Sequence, residues 1–101
     1  MRATLIDFDQ KTINVLKGLI MDMVRKANSG HTGGPFSSLN FVYVLYKEYL
    51  KFDPNDPNWI DRDRFVMSCG HESALKYSIL TLIGWLEIED LKQFRQLHSK
   101  T

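Results

Sequence analysis

The sequence predicts an α/β fold, of which this chain supplies mostly α-helices and one short strand near 64–68. Apolar residues recur every three or four positions in four segments, which is the pattern of helices that bury one face. A short apolar run at 64–68 is bracketed by polar residues, as a buried strand would be. A single strand cannot pair its own backbone groups, so we expect its neighbouring strands to come from sequence outside this chain.

The first predicted helix runs from about Asp9 to Ala27. Its expected apolar face consists of Ile13, Leu16, Ile20, Met23 and Ala27. Asp7 with Gln10 resembles a capping box at its start. Gly18 costs a helix interior about 1 kcal/mol relative to alanine, so we expect it to mark a close helix contact.

Three further helices follow. The second begins at an N-cap of Ser37 or Ser38 and ends before the turn-rich stretch 53–58. The third covers 72–83, where Gly84 stops it, and the fourth covers about 88–97. Their expected inward residues are Leu39, Val42, Leu45, Tyr46, Tyr49 and Leu50 in the second helix, Leu75, Ile79, Leu82 and Ile83 in the third, and Leu91 and Phe94 in the fourth.

Composition excludes several classes of protein. The 101 residues carry 13 basic and 12 acidic side chains, so the chain lacks the basic excess of a protein that binds nucleic acid or anionic membranes. Its apolar runs are too short to span a bilayer, and the first twelve residues do not resemble a targeting peptide. The one cysteine, Cys69, fits a reducing compartment, and we expect a cytoplasmic protein.

All three histidines lie in predicted loops or at element ends. His31 lies in the glycine-rich loop 28–35, which is equally compatible with a ligand-binding loop and with a plain connector between helices. His71 lies in the turn after the predicted strand, where it could donate to a phosphate oxygen or merely cap a helix. The Cys-x-His spacing at 69–71 is too tight for a structural zinc site, so we predict no metal ligands.

Four separated motifs, in the same order, resemble the N-terminal section of transketolase. They are Ala-Asn-Ser-Gly-His at 27–31, Asn-Asp-Pro-Asn-Trp-Ile-Asp-Arg-Asp-Arg-Phe-Val at 55–66, Gly-His-Glu-Ser at 70–73 and Phe-Arg-Gln-Leu-His-Ser-Lys-Thr at 94–101. The resemblance implies a thiamine-diphosphate-binding α/β fold with a parallel sheet and helices on both faces. Residues 1–101 would then form an incomplete N-terminal part of the diphosphate-binding domain.

The resemblance also implies an activity and a role for each histidine. The family transfers a two-carbon ketol unit from a ketose phosphate to an aldose phosphate, using thiamine diphosphate and Mg²⁺. By resemblance, His31 and His98 contact the substrate and are catalytic, and His71 binds the cofactor diphosphate. The implied partners are sugar phosphates, the remainder of the polypeptide or a C-terminal section subunit, and a second copy in a homodimer.

The sequence departs from the family pattern in three positions and in length. Thr32 stands where the family often has proline, and Cys69 and Glu72 stand where it often has asparagine and glycine. We expect the Glu72 carboxylate to face outward, away from the diphosphate. The family's magnesium motif and its pyrimidine-binding domain are absent, so we expect the isolated chain to be inactive. The alternatives are a helical module that docks on a partner subunit, or an enzyme similar to 1-deoxyxylulose-5-phosphate synthase, against which the motif at 95–101 argues.

Overall fold

The computed structural model describes the backbone of residues 2–101 and the side chains of residues 8–101. It contains four α-helices: α1 (Arg2–Ala27), α2 (Gly33–Val44), α3 (Ser73–Leu82) and α4 (Ile88–Lys92). A π-helical turn (Leu45–Tyr49) continues α2, and a 3₁₀ turn (Gly70–Glu72) precedes α3. The helix α1 lies against each of the other three helices, so it is the central element of the packing.

One apolar core holds the helices together, and most of it lies on the faces that the periodicity predicts. Its members are Leu16, Ile20, Met23, Leu39, Val42, Tyr43, Ala74, Leu75, Ile79, Leu91 and Phe94. The predicted inward face is wrong at two positions, since Leu82 in α3 is 47% exposed and Tyr49, after α2, is 71% exposed. The prediction that Leu91 and Phe94 point inward is confirmed, although α4 itself ends at Lys92.

The start of the first helix was predicted incorrectly. The helix begins at Arg2 rather than near Asp9, so no capping box forms at its predicted place. The Asp7 side chain lies outside the described residues, and the Gln10 amide instead donates to Asn14 Oδ1 at 3.0 Å, one turn further along α1. The prediction for Gly18 is also wrong, because a Cβ atom at that position would have no heavy atom within 4 Å.

The second helix begins at Gly33, four or five residues before the predicted serine cap. Its first turn is Gly33, Gly34 and Pro35, with Thr32 at the N-cap position. A proline in the first turn costs no hydrogen bond, since the first backbone N–H groups of a helix have no intrahelical partner. Gly33, Gly34 and Pro35, which usually indicate a loop, therefore belong to the helix here. Ser37 and Ser38, the predicted caps, also lie within it.

A shared carboxylate fastens α1 to the C-terminal end of α2. Asp9 accepts a hydrogen bond from the Tyr43 hydroxyl at 2.7 Å and forms an ion pair with Lys47 in the π-helical turn. The Lys47 hydrogen bond, aided by that of Tyr43, holds the pKa of Asp9 below its ordinary value. One carboxylate on α1 thus binds two side chains, that of Tyr43 in α2 and that of Lys47 in the turn after it.

The predicted strand at 64–68 is not formed. Residues 2–101 contain no β-strand, only an isolated bridge between Asp53 and Asp56. The segment nevertheless alternates as a strand would, because Phe65 and Met67 pack against the core while Val66 is 84% exposed. A ladder needs a second strand, and the described part of the chain offers none beside this segment.

Candidate functional site

The loop between α1 and α2 places His31 close to the turn that follows α4. Asn28 and Gly30 both have positive φ, 52° and 129°. A Cβ atom at Gly30 would lie 3.1 Å from Phe94 Cε2 and 3.1 Å from Val24 Cγ2. Glycine is therefore required at position 30 both by its backbone conformation and by the close approach of Phe94. The bend at Gly30 turns the chain so that His31 approaches His71.

His31 and His71 lie next to each other although 40 positions separate them. Their ring centroids are 5.4 Å apart, and the planes of the rings are inclined by 55°. Both line an open pocket of about 250 Å³, whose lining consists of His31, Gly70, His71, Ser73, Phe94 and Arg95. Two of the three candidate histidines are thus brought together by the fold.

Arg95 and Ser73 in this pocket were not predicted as site residues. Arg95 follows α4 with a φ of 61°, and its backbone N–H donates to the Thr101 carbonyl at 3.1 Å. Its position in a quoted motif was the only sequence signal, and nothing local indicates that it lies near His31. The pocket lining offers two imidazoles, a guanidinium and a hydroxyl, all of which can donate hydrogen bonds, and it contains no carboxylate.

The structure does not bring His98 into this pocket. His98 has an exposed side chain and a φ of 68°. It belongs to a folded-back segment in which the Thr101 hydroxyl donates to the Asp90 carbonyl at 2.7 Å. Its substrate-binding role remains a prediction from the resemblance.

Cys69 and Glu72 flank His71 in the turn before α3. The Cys69 sulfur lies 2.9 Å from His71 Nε2 and 3.4 Å from Nδ1. The expectation that Glu72 faces outward is wrong: its Oε1 atom is buried and has no hydrogen-bond partner among the described residues. The Glu72 side chain lies over Gly34 at the start of α2, because only a glycine there leaves room for it.

The surroundings of Cys69 make its thiol a poor nucleophile. Burial raises the pKa of the Cys69 thiol, and the negative charge of the nearby Glu72 carboxylate raises it further. The thiolate is the reactive form, so we expect iodoacetamide to alkylate Cys69 near neutral pH more slowly than an unstructured cysteine peptide. Glu72→Gln should speed the reaction, with Glu87→Gln as a distant control. A rate for the unchanged chain that equals the peptide's would contradict this prediction.

The close fit of Gly34 and Glu72 predicts an unusual response to alanine. A Cβ atom at Gly34 would lie 2.9 Å from Glu72 Cγ, whereas one at Gly18 would touch nothing. We expect Gly18→Ala to raise the free energy of unfolding by about 1 kcal/mol, as alanine does in an open helix interior. Gly34→Ala should instead lower it by about 1–3 kcal/mol through overpacking.

A double-mutant cycle measured by urea unfolding checks this prediction. In a Glu72→Ala background the steric conflict is gone, so Gly34→Ala should no longer destabilise the chain. If Gly34→Ala costs the same free energy in both backgrounds, the contact with Glu72 does not determine the residue at position 34.

The described residues offer neither a metal-binding cluster nor a membrane-spanning helix. No three His, Cys, Asp or Glu side chains among residues 8–101 converge in a geometry that could hold a metal ion. No helix in the described part of the chain is both long enough and apolar enough to cross a membrane.

Comparison with known proteins identifies the family. Residues 8–101 match the family described as "Transketolase, thiamine diphosphate binding domain". The chain belongs to this transketolase family. It is 54% identical over 89 residues to Transketolase 2 of Escherichia coli (strain K12) and 48% identical over 94 residues to the transketolase of Aquifex aeolicus (strain VF5). These matches confirm the resemblance drawn from the sequence motifs.

A solved transketolase also shares the fold of the chain. A crystal structure of a transketolase mutant from Pichia stipitis matches 92% of this chain with a TM-score of 0.87 and 50% sequence identity. The matched region is 14% of that transketolase, and the chain spans 13% of the Escherichia coli relative. The similarity therefore concerns one section of a much longer transketolase chain.

Proposed function

We propose that this chain supplies the diphosphate-binding and part of the substrate-binding surface of a transketolase that transfers a two-carbon ketol unit between sugar phosphates. The observation that supports the proposal best is the pairing of His31 with His71 at a ring distance of 5.4 Å on a pocket that also contains Arg95. In the proposal the chain acts with the rest of a transketolase polypeptide, in a cytoplasmic homodimer, and is inactive by itself.

The pocket fits the diphosphate of thiamine diphosphate by its donor set. Phosphate oxygens accept hydrogen bonds, and His71, Ser73 and Arg95 all carry donors at the pocket surface. An arginine guanidinium suits a phosphate especially, since its planar fork can bind two oxygens at once. No carboxylate is among the described residues that line the pocket, although the Glu72 carboxylate lies behind it, next to Cys69.

The same residues do not fit Mg²⁺. This cation prefers oxygen ligands in an octahedral arrangement, mainly carboxylates, water and phosphates. The pocket lining supplies imidazoles and a guanidinium instead, and its one side-chain oxygen acceptor is the Ser73 hydroxyl. In the proposal the protein ligands of Mg²⁺ therefore lie outside this pocket, in the rest of the transketolase polypeptide.

Each of the three histidines then has a distinct role. Thiamine diphosphate, when bound, would supply the nucleophilic carbon for the transfer. His71 donates a hydrogen bond to the diphosphate, with the Cys69 sulfur beside its ring limiting how the imidazole can turn. In the proposal His31, which lines the same pocket, exchanges a proton with a substrate hydroxyl, as imidazoles commonly do in catalysis. His98 is the second candidate for contact with the sugar.

A hybrid enzyme tests the proposal directly. The matching 89 residues of the Escherichia coli Transketolase 2 are replaced by those of this chain. We expect a folded hybrid that binds thiamine diphosphate and transfers a ketol unit from xylulose 5-phosphate to ribose 5-phosphate. The isolated chain should do neither at micromolar concentrations, and turnover by it would contradict the expected inactivity.

The hybrid also separates the proposal from a helical interaction module. Phe41 and Tyr49, each 71% exposed, give the chain apolar surface that a partner could cover. A docking module has no need of a functional pocket. A hybrid that folds and assembles like the parent but neither binds the cofactor nor turns over would favour the module and overturn the proposed enzyme.

A further inference from the structure

A second pocket lies away from the paired histidines and shares no lining residue with their pocket. It has a volume of about 280 Å³. Its walls come from the π-helical turn after α2, from the loop that leads to Phe65, and from α3. This volume lies near the lower end of the range of small-molecule sites, about 300–1,000 Å³. The pocket can therefore hold a small ligand, and its two kinds of wall indicate the chemistry of that ligand.

One wall of the pocket is aromatic and rigid. Tyr46 packs against Phe52 and Phe65 with ring centroids 5.6 Å and 5.5 Å apart, and Phe52 packs against Trp85 at 5.8 Å. The Trp85 indole is fixed further, because its Nε1–H donates to the Pro54 carbonyl at 2.9 Å. Rings held in this way present a preformed surface on which a flat apolar group can pack at little entropic cost.

The other wall carries three cations, Arg62, Arg64 and Lys76. Arg62 donates to the Trp59 carbonyl at 2.7 Å, and Arg64 donates to the Ile60 carbonyl at 3.1 Å. The Lys76 ammonium lies 5.9 Å from the centre of the Phe65 ring. These partners position the cations without neutralising them, and no carboxylate among residues 8–101 lies within 4.0 Å of their nitrogen atoms.

One carboxylate, that of Asp63, also lines the pocket. Its Oδ2 accepts the backbone N–H of Lys51 at 2.8 Å, and its own backbone N–H donates to the Lys51 carbonyl at 2.7 Å. Asp63 is thus engaged in joining two backbone segments. Three positive charges against one negative charge leave the pocket with a net positive charge.

We propose that this second pocket binds a phosphate monoester that carries a flat ring. The phosphate would lie against Arg62, Arg64 and Lys76, since guanidinium and ammonium groups form charge-assisted hydrogen bonds with phosphate oxygens. The ring would pack against Phe52 and Trp85. Because the pocket has both a cationic and an aromatic wall, the ligand would be recognised by both its charge and its ring.

The test is an NMR titration of the isotopically labelled chain with three probes at one fixed ionic strength. The probes are phenyl phosphate, inorganic phosphate and phenol. We expect phenyl phosphate to bind at least about tenfold more tightly than either of the others, with shifts at the Trp85 indole N–H and at the backbone of Arg62 and Lys76. Equal affinity for phenyl phosphate and inorganic phosphate would overturn the proposal, as would shifts centred on His31 and His71.

Matched variants assign the binding to this pocket. Lys76→Gln and Arg64→Gln should each weaken the binding of phenyl phosphate by about fivefold or more, because each removes a charged donor. Lys11→Gln removes the same charge from the exposed surface of α1 and should leave binding unchanged. Equal losses in Lys11→Gln and Lys76→Gln would show general attraction by net charge and overturn the proposal. His71→Ala should have no effect here, which separates this pocket from the proposed cofactor site.

Discussion

In the hybrid transketolase, His31→Ala is expected to lower kcat by about 10²–10⁴-fold, the usual contribution of a general acid or base. The loop 28–32 holds the imidazole at the pocket by a positive φ at Gly30 and by contact of that glycine with Phe94. If His31 exchanges a proton with a substrate hydroxyl, its loss affects the reaction far more than the binding of the cofactor. The measurement is kcat with both sugars saturating, and cofactor affinity is determined separately.

Two variants complete the His31 experiment. Ser29→Ala changes an exposed side chain in the same loop and should leave kcat nearly unchanged. A kcat within about twofold of the parent hybrid in His31→Ala would contradict the catalytic role, because proton transfer by this residue would then contribute almost nothing. In that case His98→Ala becomes the variant to measure, since His98 is the remaining candidate.

The second large effect concerns the cofactor. His71→Ala in the hybrid is expected to weaken the binding of thiamine diphosphate by about ten- to a hundredfold, because a hydrogen bond to a charged group contributes roughly 1.5–3 kcal/mol. With cofactor saturating, kcat should recover to near the value of the parent hybrid. Isothermal titration calorimetry gives the dissociation constant, and turnover at increasing cofactor concentration gives the recovery.

The Cys69 sulfur allows a matched control for His71. Cys69→Ser keeps a small polar group beside the imidazole and should change cofactor affinity much less than His71→Ala. An unchanged dissociation constant in His71→Ala would mean that the histidine is only part of the turn before α3. A large loss in Cys69→Ser with little loss in His71→Ala would point to the turn's conformation as the source of affinity.

The helical faces of this chain were predictable because burial follows a simple period. Leu16, Ile20, Leu75 and Ile79 recur at four-residue spacing within their helices and are all fully buried. The beginning of α2 was not predictable from the same reasoning. Gly33, Gly34 and Pro35 are residues that typically indicate a loop, although a proline is tolerated in the first turn of a helix. The packing of Glu72 over Gly34, which accounts for the glycine at position 34, joins segments that are distant in the sequence.

The pocket was predictable only in part. The histidines stood out because His31 and His71 each lie next to a glycine in a turn. Arg95 did not stand out, because its approach to His31 depends on the positive φ at residue 95 and on contacts between distant segments. At 64–68 the sequence predicted a strand that does not form. Its alternation is real, but a strand also requires a partner that local sequence does not contain.

The contact of Gly30 with Phe94 has a consequence for how this sequence can evolve. Position 30 holds the loop of His31, and position 94 precedes Arg95, yet the two positions meet with no space for one additional methyl group. Substitutions at the two positions will therefore not be additive in their effect on stability. A smaller residue at 94 would relieve only one of the two close contacts, because the φ of 129° at Gly30 and its approach to Val24 would remain. Position 30 is therefore restricted to glycine whichever residue a mutation places at position 94.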